Sequence, residues 1–471
     1  MTNMILLLQL LIASTAYSLD NGLGLTPRLA YSTWNFYGTS ASEADVHAIA
    51  ASLQRTGLKD LGYTTINIDA GSLNRDPTTG KLVENRHHFP SGLRNLSDFL
   101  HGAGFQFGAY NDISGHTCGQ GPAAGSLHHY EADAEVFAHD WQVDYLKFDF
   151  CGVQMPGSPP ENCTGVVGRS CGCVPVNSTE QYAAWAALTR ALNKTGRPIY
   201  LDFCPHAIAD GIGTEVPKGK LMYAPPKDWT LPQRRALSNS LLVEYDNTQD
   251  AWNWHQSSGL IFNIDAMVKA TDLSYSGPGM WNYADMLQIC SYGKGNTPGD
   301  GMTLGEYRAH YSVWSVLASP LIIGTDLVTV ERDHPDCLAL LKNEDIVKVN
   351  QDQAALSARL VSQIPPFGSL EATTLNISAQ VFARPLSGGR LAVVLLNRGP
   401  VAASLSVSWR ELGIANGRAV QVYNVIKRHS AGSATNSFTA TVPSHDVEFV
   451  IFGHMVGEKP LHRNGRDAIS D

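Results

Sequence analysis

Through about residue 350, short runs rich in β-branched and aromatic residues alternate with longer stretches whose apolar positions recur every three or four residues. That is the pattern of parallel strands joined by crossover helices. Strands are predicted at 64–69, 105–110, 145–150, 199–203, 241–245 and 320–324, and helices at 44–53, 91–103, 130–141 and 180–193. Neighbouring strands lie roughly forty residues apart, the spacing of βα units with long loops. After Gln351 the apolar period becomes two, in VFARPL, RLAVVLLNR, SLSVSWREL, AVQVYNVIKR, SFTATVP and DVEFVIF, which predicts a small antiparallel sandwich. The fold expected is a (β/α)8 barrel over residues 19–350, a C-terminal antiparallel β-sandwich over 351–453, and a polar, frayed tail over 454–471.

Length agrees, because 471 residues suit a barrel of about 250 or more residues plus one smaller domain. Charge narrows the partners. With 34 basic against 43 acidic residues and no Lys/Arg cluster to track a phosphate backbone, nucleic acid is not expected as a partner. The apolar run from Met4 to Ala13, followed by small residues at Ala16 and Ser18, reads as a signal peptide over 1–18 cleaved after Ser18. It is too short to span a bilayer comfortably, and no later stretch is apolar enough, so no membrane partner is expected. Five Asn-x-Ser/Thr sequons, at Asn95, Asn162, Asn177, Asn193 and Asn376, fit a secreted, extracellular glycoprotein. Eight cysteines suit an oxidising compartment. Cys163, Cys171 and Cys173 fall in a Pro/Gly/Asn-rich segment read as a stapled surface loop, since the CxC spacing is wrong for a zinc knuckle.

In a parallel barrel, side chains leaving the C-terminal strand ends converge on one face whatever their separation in sequence. Here those ends offer Asp69, Tyr110 with Asp112, Lys147 with Asp149, Asp202, Asp246 and Asp285, with Trp34 and Trp281 among the aromatics. Carboxylates accept hydroxyl hydrogen bonds and an aromatic face covers the apolar side of a pyranose, so the mixture suits a carbohydrate. Asp149 ends the apolar strand YLKFDF, with Lys147 two residues back on the same side. Such a Lys holds a carboxylate ionised, as a nucleophile requires, but position alone leaves a buried ion pair serving only the fold equally open.

YLKFDFC (145–151) resembles the nucleophile motif of the α-galactosidase (melibiase) family, glycoside hydrolase family 27, and further segments agree in order. YSTWN (31–35), TINID (65–69) and GAYNDISGHTC (108–118) are similar to the family's first three strand motifs. GPGMWNYADM (277–286), ASPLIIGTDL (318–327) and VNQDQ (349–353) resemble its late barrel and barrel exit. The resemblance implies a retaining glycosidase without cofactor or metal. It makes Asp149 the nucleophile, with Trp34, Asp69, Tyr110, Lys147 and Asp285 lining the terminal-sugar subsite. It pairs Cys118 with Cys151, and through NSLLVEYDN (239–247) it places the acid/base at Asp246, with Glu244 and Asp250 as neighbours in other registers. Asp202 and Trp281 complete the expected substrate-binding set.

The chain departs from the family pattern at positions that in the family contact the sugar's hydroxyls. Asp69 is followed by Ala70 instead of a second Asp, and Leu242 stands where the family has Arg. Cys-Glu-Trp-Pro becomes Asp202-Phe203-Cys204-Pro205, and a late Asp-Pro becomes Tyr283-Ala284. The alternatives to an α-galactosidase are therefore a relative with changed specificity, a β-L-arabinopyranosidase or an isomaltose-releasing dextranase, or a non-catalytic sugar-binding protein. The pairs His87-His88 and His128-His129 lack an acidic partner at ligand spacing and are read as surface residues. Cys290 and Cys337 could pair with each other, pair with Cys204 or stay reduced, and Trp409 and Tyr423 are read as sandwich core.

Overall fold

The computed structural model describes residues 19, 21–118, 124–151, 178–208, 228–245, 259–270, 276–296, 299, 301–366 and 376–453. It adds three short strands, Val153–Gln154, Val174–Pro175 and Leu221–Tyr223. The leader, Asn162, Asn177, Cys163, Cys171, Cys173, Asp246, Asp250 and the tail from residue 454 lie outside the described residues.

Eight parallel strands follow one another in chain order around a ring: β1 (Leu29–Ser32), β2 (Thr65–Asn67), β3 (Gln106–Asp112), β4 (Tyr145–Asp149), β5 (Tyr200–Phe203), β6 (Ser240–Leu242), β7 (Trp281–Tyr283) and β8 (Leu321–Ile323). β1 pairs with β8, and the ring closes beyond β7 at Leu287, which bridges to Ile323. There the Leu287 N–H donates to Ile322 O at 2.7 Å and Gly324 N–H donates to Leu287 O at 3.1 Å. Strand alternation sorts each side chain. Ile66, Phe107, Leu146, Phe148 and Leu201 face the helices, where they join Val46, Ile49, Leu53, Leu96, Phe137 and Leu188 in one core. Inside the ring, Ala30, Tyr145, Tyr200, Leu242, Tyr283 and Ile322 pack on one another. Gly108 makes room for them, since a Cβ there would fall 2.8 Å from Asn67 Cα and 3.0 Å from the Tyr145 ring.

The helices α1 (Glu43–Thr56), α2 (Leu93–Gly102), α3 (Tyr130–Glu135, continued by a π turn over Val136–Asp140) and α4 (Ser178–Lys194) fall on the four predicted segments. α1 starts at a Ser42/Asp45 capping box and stops at Gly57, where φ is 79°. The predicted strand 241–245 is two pieces. β6 ends at Leu242, whereas Glu244–Tyr245 pairs antiparallel with Leu221–Tyr223 in a separate three-stranded sheet. The unbroken apolar run conceals this change of partner.

Beyond the barrel come β9 (Arg359–Ile364), β10 (Ala379–Pro385), β11 (Leu391–Asn397), β12 (Ala403–Ser408), β13 (Ala419–Asn424), β14 (His429–Thr435), β15 (Ser437–Val442) and β16 (Asp446–Phe452). They form a six-stranded sheet in the order β9-β10-β11-β16-β13-β14 and a β12-β15 ribbon. Val381, Val393, Leu395, Val450 and Phe452 face the ribbon and enclose Trp409. Phe382, Val394, Leu396, Phe449 and Ile451 belong to the barrel's core instead. The helix between the two, Leu304–Val316, is buried on nearly every side. Cys290 pairs with Cys337, and Cys204 is a buried free thiol.

Candidate active site

The C-terminal strand ends gather one cation among several acids. Lys147 Nζ donates to Asp69 Oδ2 at 3.2 Å and lies 3.9 Å from Asp149 Oδ2. Its ammonium also sits 5.4 Å from the centre of the Tyr110 ring. Burial works against the Lys147 charge, but Asp69 and Asp149 outweigh it and push the ammonium well above its ordinary value. The group stays charged. Asp149 is raised because burial disfavours its anion more than Lys147 favours it. Its Oδ2 accepts from the Tyr110 hydroxyl at 3.3 Å and its Oδ1 from the Phe150 N–H at 3.3 Å.

Exposure separates the expected residues. Lys147 and Asp149 retain slight exposure, with side chains 12% and 11% accessible, and Trp34 is half-buried above the interior cluster. Asp69 is enclosed and held by Ser32, Lys147 and the Ala70 N–H. Asp285 is in the left-handed region at φ 71°; Met286 N–H donates to its Oδ1 at 2.7 Å, while its buried Oδ2 has no protein hydrogen-bond donor among the described residues. Asp202 and Trp281 are fully enclosed; Asp202 is the register partner of Lys147 and Trp281 that of Ser240. Both Asp202 oxygens are taken, by the Tyr145 hydroxyl at 2.5 Å and the Ser240 hydroxyl at 2.6 Å, and burial pushes its pKa up to about 6. The Trp281 indole N–H donates to Gly24 O at 2.7 Å, and no part of the residue reaches solvent. Ala70 and Leu242 bring no polar side chain to the mouth.

Two residues at this end of the barrel were not given a role by the motifs. Tyr283 is buried within the interior cluster beside Cys204 and Leu242. Asp112 is the register partner of Asp149, and its position two residues past Tyr110 on one strand face was the available signal. Asp112, Cys118 and Cys151 are the one trio among the described residues close enough to share a metal ion. The two sulfurs are joined as a disulfide, so they present no thiolate to a metal.

A closed parallel barrel whose mouth combines a charged Lys, a ring of carboxyls and aromatic side chains defines a sugar-processing enzyme of the barrel class. The family model described as Alpha galactosidase A matches residues 38–160 and 167–352, and that of the alpha galactosidase C-terminal beta sandwich domain matches 377–452. Alpha-galactosidase 3 of Arabidopsis thaliana is 32% identical over 436 residues, covering 92% of this chain and 83% of the relative. The alpha-galactosidase of Coffea arabica is 31% identical over 435 residues, covering 92% and 95%. The solved alpha-galactosidase I from Mortierella vinacea superposes with a TM-score of 0.72 at 27% identity, over 92% of this chain and 98% of that one. The chain therefore belongs to the alpha-galactosidase family, glycoside hydrolase family 27, and is a glycosidase. A family-27 β-L-arabinopyranosidase from Geobacillus stearothermophilus shares the fold, with a TM-score of 0.68 at 18% identity.

Proposed function

We propose that the protein is a secreted, retaining α-galactosidase that releases terminal α-linked galactose from oligo- and polysaccharides. The observation that carries this reading is the Asp149 carboxyl, placed between the Lys147 ammonium and the Tyr110 hydroxyl at the barrel mouth. Those two groups favour its anion against burial. Asp149 attacks the anomeric carbon and the departing oxygen takes a proton from Asp246. Water, deprotonated by Asp246, then releases the sugar. Trp34, Asp69 and Asp285 bound the terminal-sugar subsite, and the unpartnered Asp285 Oδ2 suits a sugar hydroxyl. Export rests on the leader over 1–18. The sequon residues Asn95, Asn193 and Asn376 are exposed, as glycosylation requires. Among the described residues no helix is long and apolar enough to cross a membrane.

A second reading within the family has its own observation. Ala70 and Leu242 stand where the family has polar residues, and each Asp202 oxygen already accepts one hydroxyl, from Tyr145 and from Ser240. A pyranose with fewer or differently placed hydroxyls, such as a β-L-arabinopyranoside, would tolerate those losses. The deciding experiment is kcat/KM on aryl α-galactoside, α-glucoside and β-L-arabinopyranoside. A clear preference for a sugar other than galactose replaces the substrate, and binding without turnover of all three marks a sugar-binding protein. The nucleophile is tested separately. Asp149→Gly should be inactive and should regain turnover of an aryl glycoside with added azide, which enters the vacated space; without that rescue the assignment of Asp149 fails.

A further inference from the structure

Resting on the reading of Asp149 as nucleophile, we propose that Asp112 is a positioning residue for it: the Asp112 carboxyl ties together the two loops joined by the Cys118–Cys151 disulfide and thereby fixes which way the Tyr110 hydroxyl points. The argument starts at that hydroxyl. A phenol has a single proton to donate, and whichever lone pair is occupied by another donor decides where the proton goes. Cys118 N–H donates to Tyr110 Oη at 3.2 Å, so the Tyr110 proton is left for Asp149 Oδ2, 3.3 Å away. The polarity of the nucleophile's hydrogen bond is thus set by the position of one backbone amide, in the loop after β3.

Asp112 contacts both loops, the one after β3 at Ser114 and the one after β4 at Cys151. Its Oδ1 accepts from Ser114 N–H at 2.7 Å and from the Ser114 hydroxyl at 2.6 Å, fixing the turn that leads toward Cys118. Its Oδ2 accepts from Cys151 N–H at 2.7 Å, two residues past Asp149, and lies 3.9 Å from Cys118 Sγ. The disulfide limits how far Cys118 and Cys151 can separate but leaves their amides free to turn, and the carboxyl supplies the missing orientation. β3 and β4 are locked alongside, since Ile113 N–H donates to Asp149 O at 2.9 Å.

The surroundings of Asp112 fit a group kept for this purpose. It is fully buried, and among the described residues no Lys or Arg forms an ion pair with it. The titratable groups facing it are Asp149 on β4, Tyr110 on its own strand and Tyr130 on α3, whose hydroxyl donates to Ile113 O at 2.9 Å. Burial, then the Asp149 charge, push the Asp112 carboxyl up to about 7. A buried acid without a cation costs stability, and apolar packing would serve the fold better.

The test is a double-mutant cycle on the whole enzyme, read with the aryl glycoside that it turns over best. Asp112→Asn keeps one acceptor for Ser114 and turns an amide N–H toward Cys151 N–H. Expected are a fall in kcat of about tenfold or more, a change in KM of less than about threefold, and a moved acid limb of the kcat/KM pH profile. In the Tyr110→Phe background the same substitution should cost less than about threefold, because the hydroxyl through which it acts is gone. Ser114→Ala should show the same dependence on Tyr110, and it carries the test if Asp112→Asn does not fold. An Asp112→Asn enzyme with kcat near wild type, or equal losses in both backgrounds, overturns the proposal. Azide rescue of Asp149→Gly reports on the nucleophile alone, so an additive cycle with rescue intact removes the role of Asp112 and spares Asp149.

Discussion

Buried charge is arranged in opposite ways at the barrel mouth and at the junction between barrel and sandwich. At the junction the Arg398–Asp265 pair is 1% accessible on both sides, with contacts of 2.7 and 3.2 Å. Gln380 completes it, donating to Asp265 and accepting from Arg398. Arg308 pairs with Asp446, and Arg384 donates to the carbonyls of Ser315 and Asn350. Arg398 and Arg308 are matched there by carboxylates, and Arg384 by backbone carbonyls. At the mouth, among the described residues, Lys147 faces Asp69 and Asp149, with Asp112 and Asp202 nearby and both raised by burial. A matched pair specifies how two surfaces dock, whereas unmatched carboxyls lower stability and persist where chemistry needs them.

The largest effect expected from this contrast is at the proposed nucleophile. Asp149→Asn should lower kcat by about a thousandfold or more while leaving thermal stability equal or higher, since burial disfavours the Asp149 anion more than Lys147 favours it. Activity within about tenfold of wild type would remove the proposed mechanism. The junction should respond in the opposite sense. Arg398→Met strands Asp265 without its cation and should destabilise by about 3–5 kcal/mol in denaturant titrations, with kcat of the folded enzyme unchanged. An unaltered midpoint would show that the matched pair is dispensable.

A smaller effect is expected in the pH dependence of stability. Asp202 and Asp112 are raised from an ordinary 3.8 to about 6 and about 7. The folded protein holds these protons where the unfolded chain has released them. Their contribution is therefore complete below 3.8 and is lost as the pH rises through 6 and 7. Asp202→Asn should flatten that part of the Tm profile between pH 4 and 7, and an unchanged slope would contradict the reading of its burial. Smallest of all, Ala70→Asp restores one polar group at the mouth. If a galactose hydroxyl is unmet there, kcat/KM on aryl α-galactoside should rise about five- to tenfold, the size of one hydrogen bond. No gain would mean that another side chain already serves that hydroxyl.

Much of the architecture was legible from periodicity, and what escaped did so for identifiable reasons. β1 and β7, LAYS and WNY, contain no β-branched residue and one Ser or Asn each, so they do not register as runs. The helix Leu304–Val316 is buried nearly all round, so it has no polar face and no period. β14, HSAGSAT, is an exposed sheet edge with no apolar stripe. At the site, Lys147 and Asp149 could be found because residues two apart share a strand face. Asp202, expected beside them, is the register partner of Lys147, but alternation tells only which face a residue occupies. Which neighbours enclose it, here the Tyr145 and Ser240 hydroxyls, is set by pairing between strands, which a single sequence does not display.

The helix Leu304–Val316 lies between the ring and the six-stranded sheet and gives side chains to both. The barrel core is therefore finished only when the C-terminal sheet, from Arg359 on, has been made. A ribosome that has released just the first 350 residues exposes this helix's outer face, and the nascent chain needs shielding until the sheet arrives. Heat should find no weak seam either: the protein is expected to melt in one transition, and a fragment cut after the barrel should aggregate instead of surviving as an independent enzyme.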